Sequence, residues 1–428
     1  MLRAAIPTRP EARRILVGTL LSAVGRGLTL PFLFIYLHEV RGVGAATVGF
    51  VVGWMGVVSL ALAPVAGSLT DRFGARRVVL PCFLIEAAGV LSLAIVHTAP
   101  AAFASATAMA VGSSALWSGQ STILASLTAE EERQRVFGLQ FTLLNLGIGV
   151  GGLTAGAIVD VSRPWTFQLL YVLDSIGYLI PMAILLSLPA VGRRLAGRAP
   201  SAEAEPRRGY AEVLRDRPFR RLVIFGLVLT TCGYAQIEVG FTAFATTVAE
   251  VSPRIVGWAL AANTLTIVIA QLFVIRVLQG RSRARALAGV GVLFALAWLV
   301  LGGAGAVDSR QTLVAALGVV ACASVFALGE TLLSPVMPAL TNALATDELR
   351  GRYNAMGSIM WGVSGVIGPV SAGPLIGSGL GAVWVVLVVG GSLVASLIAL
   401  SLRGLLTPVQ DGRAVAVDTV AVPEPANV

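Results

Sequence analysis

Charged residues fall in short clusters along the chain, and between the clusters run stretches of Leu, Val, Ala, Ile, Phe and Gly about twenty residues long. A helix needs about 20 largely apolar residues to cross the hydrocarbon layer, so each stretch predicts one membrane-spanning helix. Twelve such helices are predicted, at 15–37, 46–69, 78–97, 102–127, 137–159, 166–188, 221–248, 256–278, 286–306, 312–343, 354–377 and 381–402. Membrane β-strands would show alternating segments of about ten residues, and these runs are continuous. The longest polar stretch, 189–219, contains VGRRLAGRAPSAEAEPRRG and passes into the amphipathic YAEVLRDRPFRR. It predicts a cytoplasmic linker between an N-terminal unit of six helices (1–188) and a C-terminal unit of six (220–403). Residues 404–428 lack periodicity, and a disordered cytoplasmic tail is expected there.

Composition strengthens this reading. The chain is 56% hydrophobic and 12% charged, against roughly 25% charged in a soluble domain. The net charge of +9 comes from 31 Arg and no Lys. Twenty-six of these Arg flank the predicted helix ends on the side of the N-terminus, whereas Arg41, Arg163, Arg254 and Arg310 lie on the other side and Arg26 lies within a helix. The positive-inside rule then places both termini in the cytoplasm of a multi-pass inner (plasma) membrane protein, and the basic charge reports topology rather than nucleic-acid binding. The first run is too long for a signal-peptide core and lacks a cleavage site, so a retained helix is expected. Cys82, Cys232 and Cys322 fall in separate predicted helices, which argues against a disulfide framework or metal site. No phosphate loop, cofactor motif or Ser/His/Asp set occurs, and the chain has two His. These absences argue against an ATP-driven pump or an enzyme.

The halves repeat. Placing Arg133-Gln134-Arg135 over Arg350-Gly351-Arg352 shifts the chain by 217 residues and brings Gly151 onto Gly368, Gly152 onto Pro369, Ala155 onto Ala372 and Gly156 onto Gly373. Predicted helices 5 and 11 thus occupy equivalent places in two six-helix units.

The loop between predicted helices 2 and 3 reads GSLTDRFGARR, with Gly67, Asp71, Arg72, Gly74, Arg76 and Arg77. It resembles the G-x-x-x-D-[RK]-x-G-[RK]-[RK] signature of the major facilitator superfamily. The resemblance implies an all-α integral membrane fold of twelve transmembrane helices in two pseudo-symmetric six-helix bundles. It also implies that Asp71 meets the N-terminal end of helix 11 as a cytoplasmic latch. In the second half the matching IRVLQGRSR keeps the Arg and lacks the Asp. Helix 5 resembles the family's antiporter signature through Gly138, Gly147, Gly151 and Gly156, with Gly152 in place of its proline and Ala155 in place of a glycine. Helix 11 carries the Gly-Pro instead, at Gly368-Pro369. The family's helix 4 pattern R-x-x-Q-G falls on Ala108, Val111 and Gly112, so its membrane Arg is absent.

Arg26 sits mid-helix, where an ionisable group costs about 2.5 to 3.5 kcal/mol and needs a partner. Acids at comparable depth are Glu86, Asp174, Glu238 and Glu330. In the family, helices 1, 4, 7 and 10 line the central cavity while 3, 6, 9 and 12 lie outside, which ranks Arg26, Glu238 and Glu330 above Glu86 and Asp174 as proton or substrate sites. A purely structural ion pair is the alternative for Arg26. Pro335 and Pro338 predict a kink in helix 10 beside Glu330. Trp117, Gln120, Tyr234, Gln236 and Trp361 suit an apolar pocket with few polar anchors, or for the aromatics an interfacial belt.

Three functions compete. Export of small, largely apolar organic compounds, a drug or secondary metabolite, by proton antiport follows from the helix 5 resemblance and the buried acids; the resemblance is to the multidrug and metabolite efflux branch. Import or facilitated passage of a sugar or carboxylate would use Arg26 on the substrate. A membrane sensor or enzyme on a transporter scaffold is the third. The expected partners are a small-molecule substrate, protons and the lipid bilayer, with the chain acting as a monomer.

Overall fold

A computed structural model describes residues 7–128, 130–192, 213–278, 280–308, 311–345 and 350–413. The expected linker over 189–219 lies largely outside the described residues, as do 414–428. The described residues are helical, with no strand among them. The first half comprises α1 (Pro10–Thr29, continued by irregular turns to Val40), α2 (Ala45–Phe73), α3 (Ala75–Leu93), α4 (Ala99–Ser126), α5 (Glu130–Ile158) and α6 (Pro164–Leu186). The second comprises α7 (Arg217–Cys232, continued to Thr247), α8 (Pro253–Leu278), α9 (Arg283–Gly305), α10 (Thr312–Leu344), α11 (Arg350–Gly377) and α12 (Gly381–Leu402). Eleven of these are long and apolar enough to span a membrane. The twelfth, α3, has 19 residues and carries Arg76, Arg77 and Glu86. Several helices overrun their predicted bounds: α1 starts at Pro10, α5 at Glu130, and α2 ends at Phe73. Their polar ends project past the apolar layer, where hydropathy no longer marks the helix.

Within the first half α1 packs on α5 and α6, and α3 and α2 on α4; within the second α9 packs on α10 and α12, α8 on α10, and α7 on α11 and α12. Two seams join the halves, α2 with α11 and α5 with α8. Small residues make both seams, because only they let helix backbones come this close. A Cβ at Gly49 would lie 2.4 Å from the Pro369 carbonyl oxygen and 3.1 Å from the Gly373 Cα, and one at Gly156 would lie 2.9 Å from the Gly257 Cα. Gly53 faces Val370, Gly152 faces Leu260 and Gly149 faces Thr264. These contacts lie toward the end of the bundle opposite the chain termini. Toward the terminal end Gly67, Gly138 and Gly357 have nothing within 4 Å. The molecule is closed at the opposite end and open at the terminal end.

The 217-residue shift holds in three dimensions. Gly151 abuts the Val24 carbonyl and Gly27 of α1, and its counterpart Gly368 abuts Ala235 of the α7 continuation. Gly156 meets α8 at Gly257, and Gly373 meets α2 at Gly49.

One expectation is corrected. Residues 404–413 form turns rather than a structureless tail, and Asp411 has 0% of its surface exposed; its side chain and the adjoining backbone find hydrogen-bond partners on α9. α10 contains Pro335 and Pro338 and runs as one continuous helix over 33 residues. Breaks in helical geometry fall in α1 and α7. Pro31 follows Thr29 in a 3-10 turn, Leu30–Phe32, and a π turn spans Tyr36–Val40. In α7 a 3-10 turn at Tyr234–Gln236 leads into a π turn at Ile237–Phe241.

Bulk at the seams is expected to open the closed end. With Cys82, Cys232 and Cys322 replaced by Ser and a probe cysteine at Ser59 in the cavity, Gly156→Val and Gly373→Val should raise labelling by an impermeant maleimide applied opposite the termini. Gly357→Val is the control that should leave it unchanged.

Candidate functional site

A cavity of about 470 Å³ lies below the closed seam, lined by Arg26, Glu86, Trp117, Gln120, Asp174 and Glu238 with apolar side chains such as Met55 and Met109. Arg26 lies one turn before the α1 break, and Glu238 sits inside the π turn of α7, a distortion common at functional sites. Across the seam Thr242 Oγ1 donates to the Pro31 carbonyl at 3.1 Å, tying the two breaks together.

The charged groups form two layers. Arg26 and Glu238, one from each half, are exposed to the cavity. Behind them Glu86 and Asp174 are 4% and 1% exposed. Arg26 interacts electrostatically with Tyr178, Glu238, Glu86 and Asp174, yet among the described residues it makes no hydrogen bond or close ion pair. Thr29 Oγ1 donates to Asp174 Oδ2 at 2.5 Å. Asp174 Oδ1 and Glu86 Oε2 are buried without a hydrogen-bond partner. A buried polar atom without a partner is costly, and both of these carboxyls border the cavity beside Arg26.

Glycines make the room. A Cβ at Gly25 would lie 2.5 Å from Asp174 Oδ1, and one at Gly112 would lie 2.6 Å from both the Glu86 amide nitrogen and Oε2. Gly112 is the position that keeps the family's helix 4 glycine, and it lets α3 carry an acid against α4.

Glu330 lies elsewhere. It borders a second cavity of about 160 Å³ with Phe141, Tyr234, Met337, Met360 and Trp361. Tyr234 Oη donates to Glu330 Oε1, and Asn263 Nδ2 donates to Oε2 at 2.7 Å. The Tyr234 ring meets Trp361 edge-on, with centroids 4.9 Å apart. Both oxygens of Glu330 therefore have donors, unlike the pair behind Arg26.

The structure thus brings together Arg26, Glu238, Trp117 and Gln120, and separately Glu330, Tyr234 and Trp361. Glu86 and Asp174 line the first cavity, against the ranking that put helices 3 and 6 outside it; the glycines of α1 and α4 let them reach in. Gln236 is a packing group: it accepts from Trp384 Nε1 at 2.8 Å and donates to the Thr231 carbonyl at 2.8 Å. Arg76 binds the Leu185 and Leu188 carbonyls at the end of α6, and Gly74 turns the chain at φ 86°. The side chain of Asp71 lies outside what is described. Asn263 and Thr29 were missed, although a lone Asn in the apolar run of α8 was a visible signal.

Gly112→Ala should cost about 1 to 3 kcal/mol through the forced parting of α3 and α4, seen as a lower melting temperature in detergent. Gly138→Ala should leave melting unchanged.

A family model described as Major Facilitator Superfamily matches residues 15–252. The Multidrug resistance protein MdtH of Salmonella typhimurium is 24% identical over 371 residues, covering 85% of this chain and 86% of that protein. MdtH of Aeromonas hydrophila is 27% identical over 368 residues, covering 84% and 86%. Among solved structures, the peptide transporter POT in complex with sulfate aligns with a TM-score of 0.74 at 16% identity, covering 94% of this chain and 97% of that one. The nucleoside transporter NupG aligns at 0.66 and 14%, covering 92% and 99%.

Proposed function

Because the chain belongs to the Major Facilitator Superfamily, we propose that it exports small, largely apolar organic compounds in exchange for protons, working as a monomer by alternating access. The observation that carries this reading is the pair of orphaned carboxyl oxygens on Glu86 and Asp174 behind Arg26. The relatives named for multidrug resistance support the direction of transport. With the termini in the cytoplasm, as the Arg distribution implies, the open cavity faces the cytoplasm and loads substrate from there.

Arg26 connects proton to motion. Ionised Glu86 and Asp174 hold the guanidinium against its own half, weaken its attraction to Glu238 across the seam, and so favour opening at the closed end once substrate is bound. Protonation from outside neutralises the two acids, frees Arg26 for Glu238, and returns the molecule to the state closed there. Proton and substrate then compete through one charge. Glu330, already held by two donors, serves as a fixed polar anchor in the second cavity.

A resistance screen in expressing cells identifies a substrate for vesicle assays. Under an imposed proton gradient, Glu86→Gln with Asp174→Asn should cut gradient-driven efflux on the order of tenfold, Glu238→Gln should also impair coupling, and Glu330→Gln should retain it. Undiminished coupling in the Glu86/Asp174 double variant would sink the proposal.

The unpaired guanidinium of Arg26 favours a second reading, an importer or facilitator for an anionic nutrient such as a carboxylate. Selective loss of anionic ligands in binding assays on Arg26→Ala would support it; equal loss of neutral and anionic ligands would count against it.

A further inference from the structure

The second half's cytoplasmic loop lacks the acid that the first half carries at Asp71, and the chain beyond α12 folds back onto that loop. From Thr407 it makes a compact turn: the Asp411 amide donates to the Thr407 carbonyl at 2.9 Å, and the Thr407 amide donates to Gln410 Oε1 at 3.1 Å. Asp411 is then delivered to the first turn of α9. Its Oδ1 accepts from Ser282 Oγ and from the Ala284 amide, each at 3.0 Å, and its carbonyl accepts from the Arg283 amide at 2.8 Å. The Arg283 guanidinium donates to the Gln410 carbonyl at 3.0 Å, and Arg413 Nε lies 2.7 Å from Asp411 Oδ2. Buried helix N-termini need acceptors for their free amides, and a carboxylate there also meets the positive end of the helix dipole.

The first half ends the same way without the acid. After α6 the chain turns at Gly192, φ 69°, whose carbonyl accepts from the Arg76 amide at the start of α3 at 2.9 Å. The Arg76 guanidinium reaches back to carbonyls at the end of α6. After α12 it turns at Gly412, φ 75°, with Asp411 immediately before it. The repeat therefore extends past the last helix of each half into a strap that ties that helix to the third one.

We propose that residues 407–413 are a built-in C-terminal strap: Asp411 reinforces the Ser282 cap of α9 from the tail and locks α9 to α12 so that the second half moves as one body. This makes a stretch of tail part of the transport unit. It does not depend on what is carried or in which direction.

The test is hydrogen exchange by mass spectrometry on the full chain in lipid nanodiscs, read at the amides of 283–285. Asp411→Ala should speed exchange there about tenfold, and Asp411→Asn, which keeps one acceptor but loses the charge, should fall between it and the native chain. Two truncations guard against misfolding as the cause: ending the chain after Arg413 should leave exchange and melting native, while ending it after Leu406 should reproduce Asp411→Ala. Native exchange rates in Asp411→Ala, or equal effects of the two truncations, would overturn the proposal.

Discussion

The close approach of glycine-bearing helices across two seams is the constraint on which the rest of this molecule depends. Gly49 against Gly373 and Gly156 against Gly257 bring the halves to backbone contact at one end only. Any larger side chain at these points would hold the halves apart, since a Cβ there would fall about 3 Å or less from backbone atoms. Closure at that end leaves the cavity open at the other and sets Arg26 of α1 near Glu238 of α7 at its head. The irregular turns fall in these two helices, where the halves meet, and under the proposed alternating access they are where the backbone would change arrangement.

The buried acids then divide by how well the protein satisfies them. Glu330 is held by Tyr234 and Asn263, which donate to both of its oxygens. Glu86 and Asp174 each leave an oxygen without a hydrogen-bond partner beside Arg26, which is why the proposed coupling is assigned to them. Unsatisfied groups are where a membrane protein can respond to a gradient, because neutralising them relieves a cost the fold otherwise carries.

Much of this was legible in the sequence. Hydrophobic runs placed all twelve helices because spanning a bilayer demands a fixed apolar length, and the shift of Gly151 and Gly156 onto Gly368 and Gly373 anticipated their matching roles. Helix ends were less legible, since the polar turns of α1 and α5 leave the apolar layer before the helix stops. The ranking of the acids relied on which helices line the cavity in the family, whereas Glu86 and Asp174 border it from α3 and α6 beside single glycines, Gly112 and Gly25, whose contacts only the packed structure reveals. Asp411 was unreadable because its partners Ser282 and Ala284 lie more than a hundred residues away.

In the proposed cycle the proton state of Glu86 and Asp174 sets whether the glycine seams are closed. Pulsed electron paramagnetic resonance between spin labels at Ser162 and Ser378, in exposed loops of opposite halves at the closed end, measures this directly. With a transported substrate present, raising the pH should lengthen the distance in the native background, and the Glu86→Gln/Asp174→Asn variant should stay short at every pH. A pH response that persists unchanged in that variant, or one of opposite sign, would show that these two acids do not control closure.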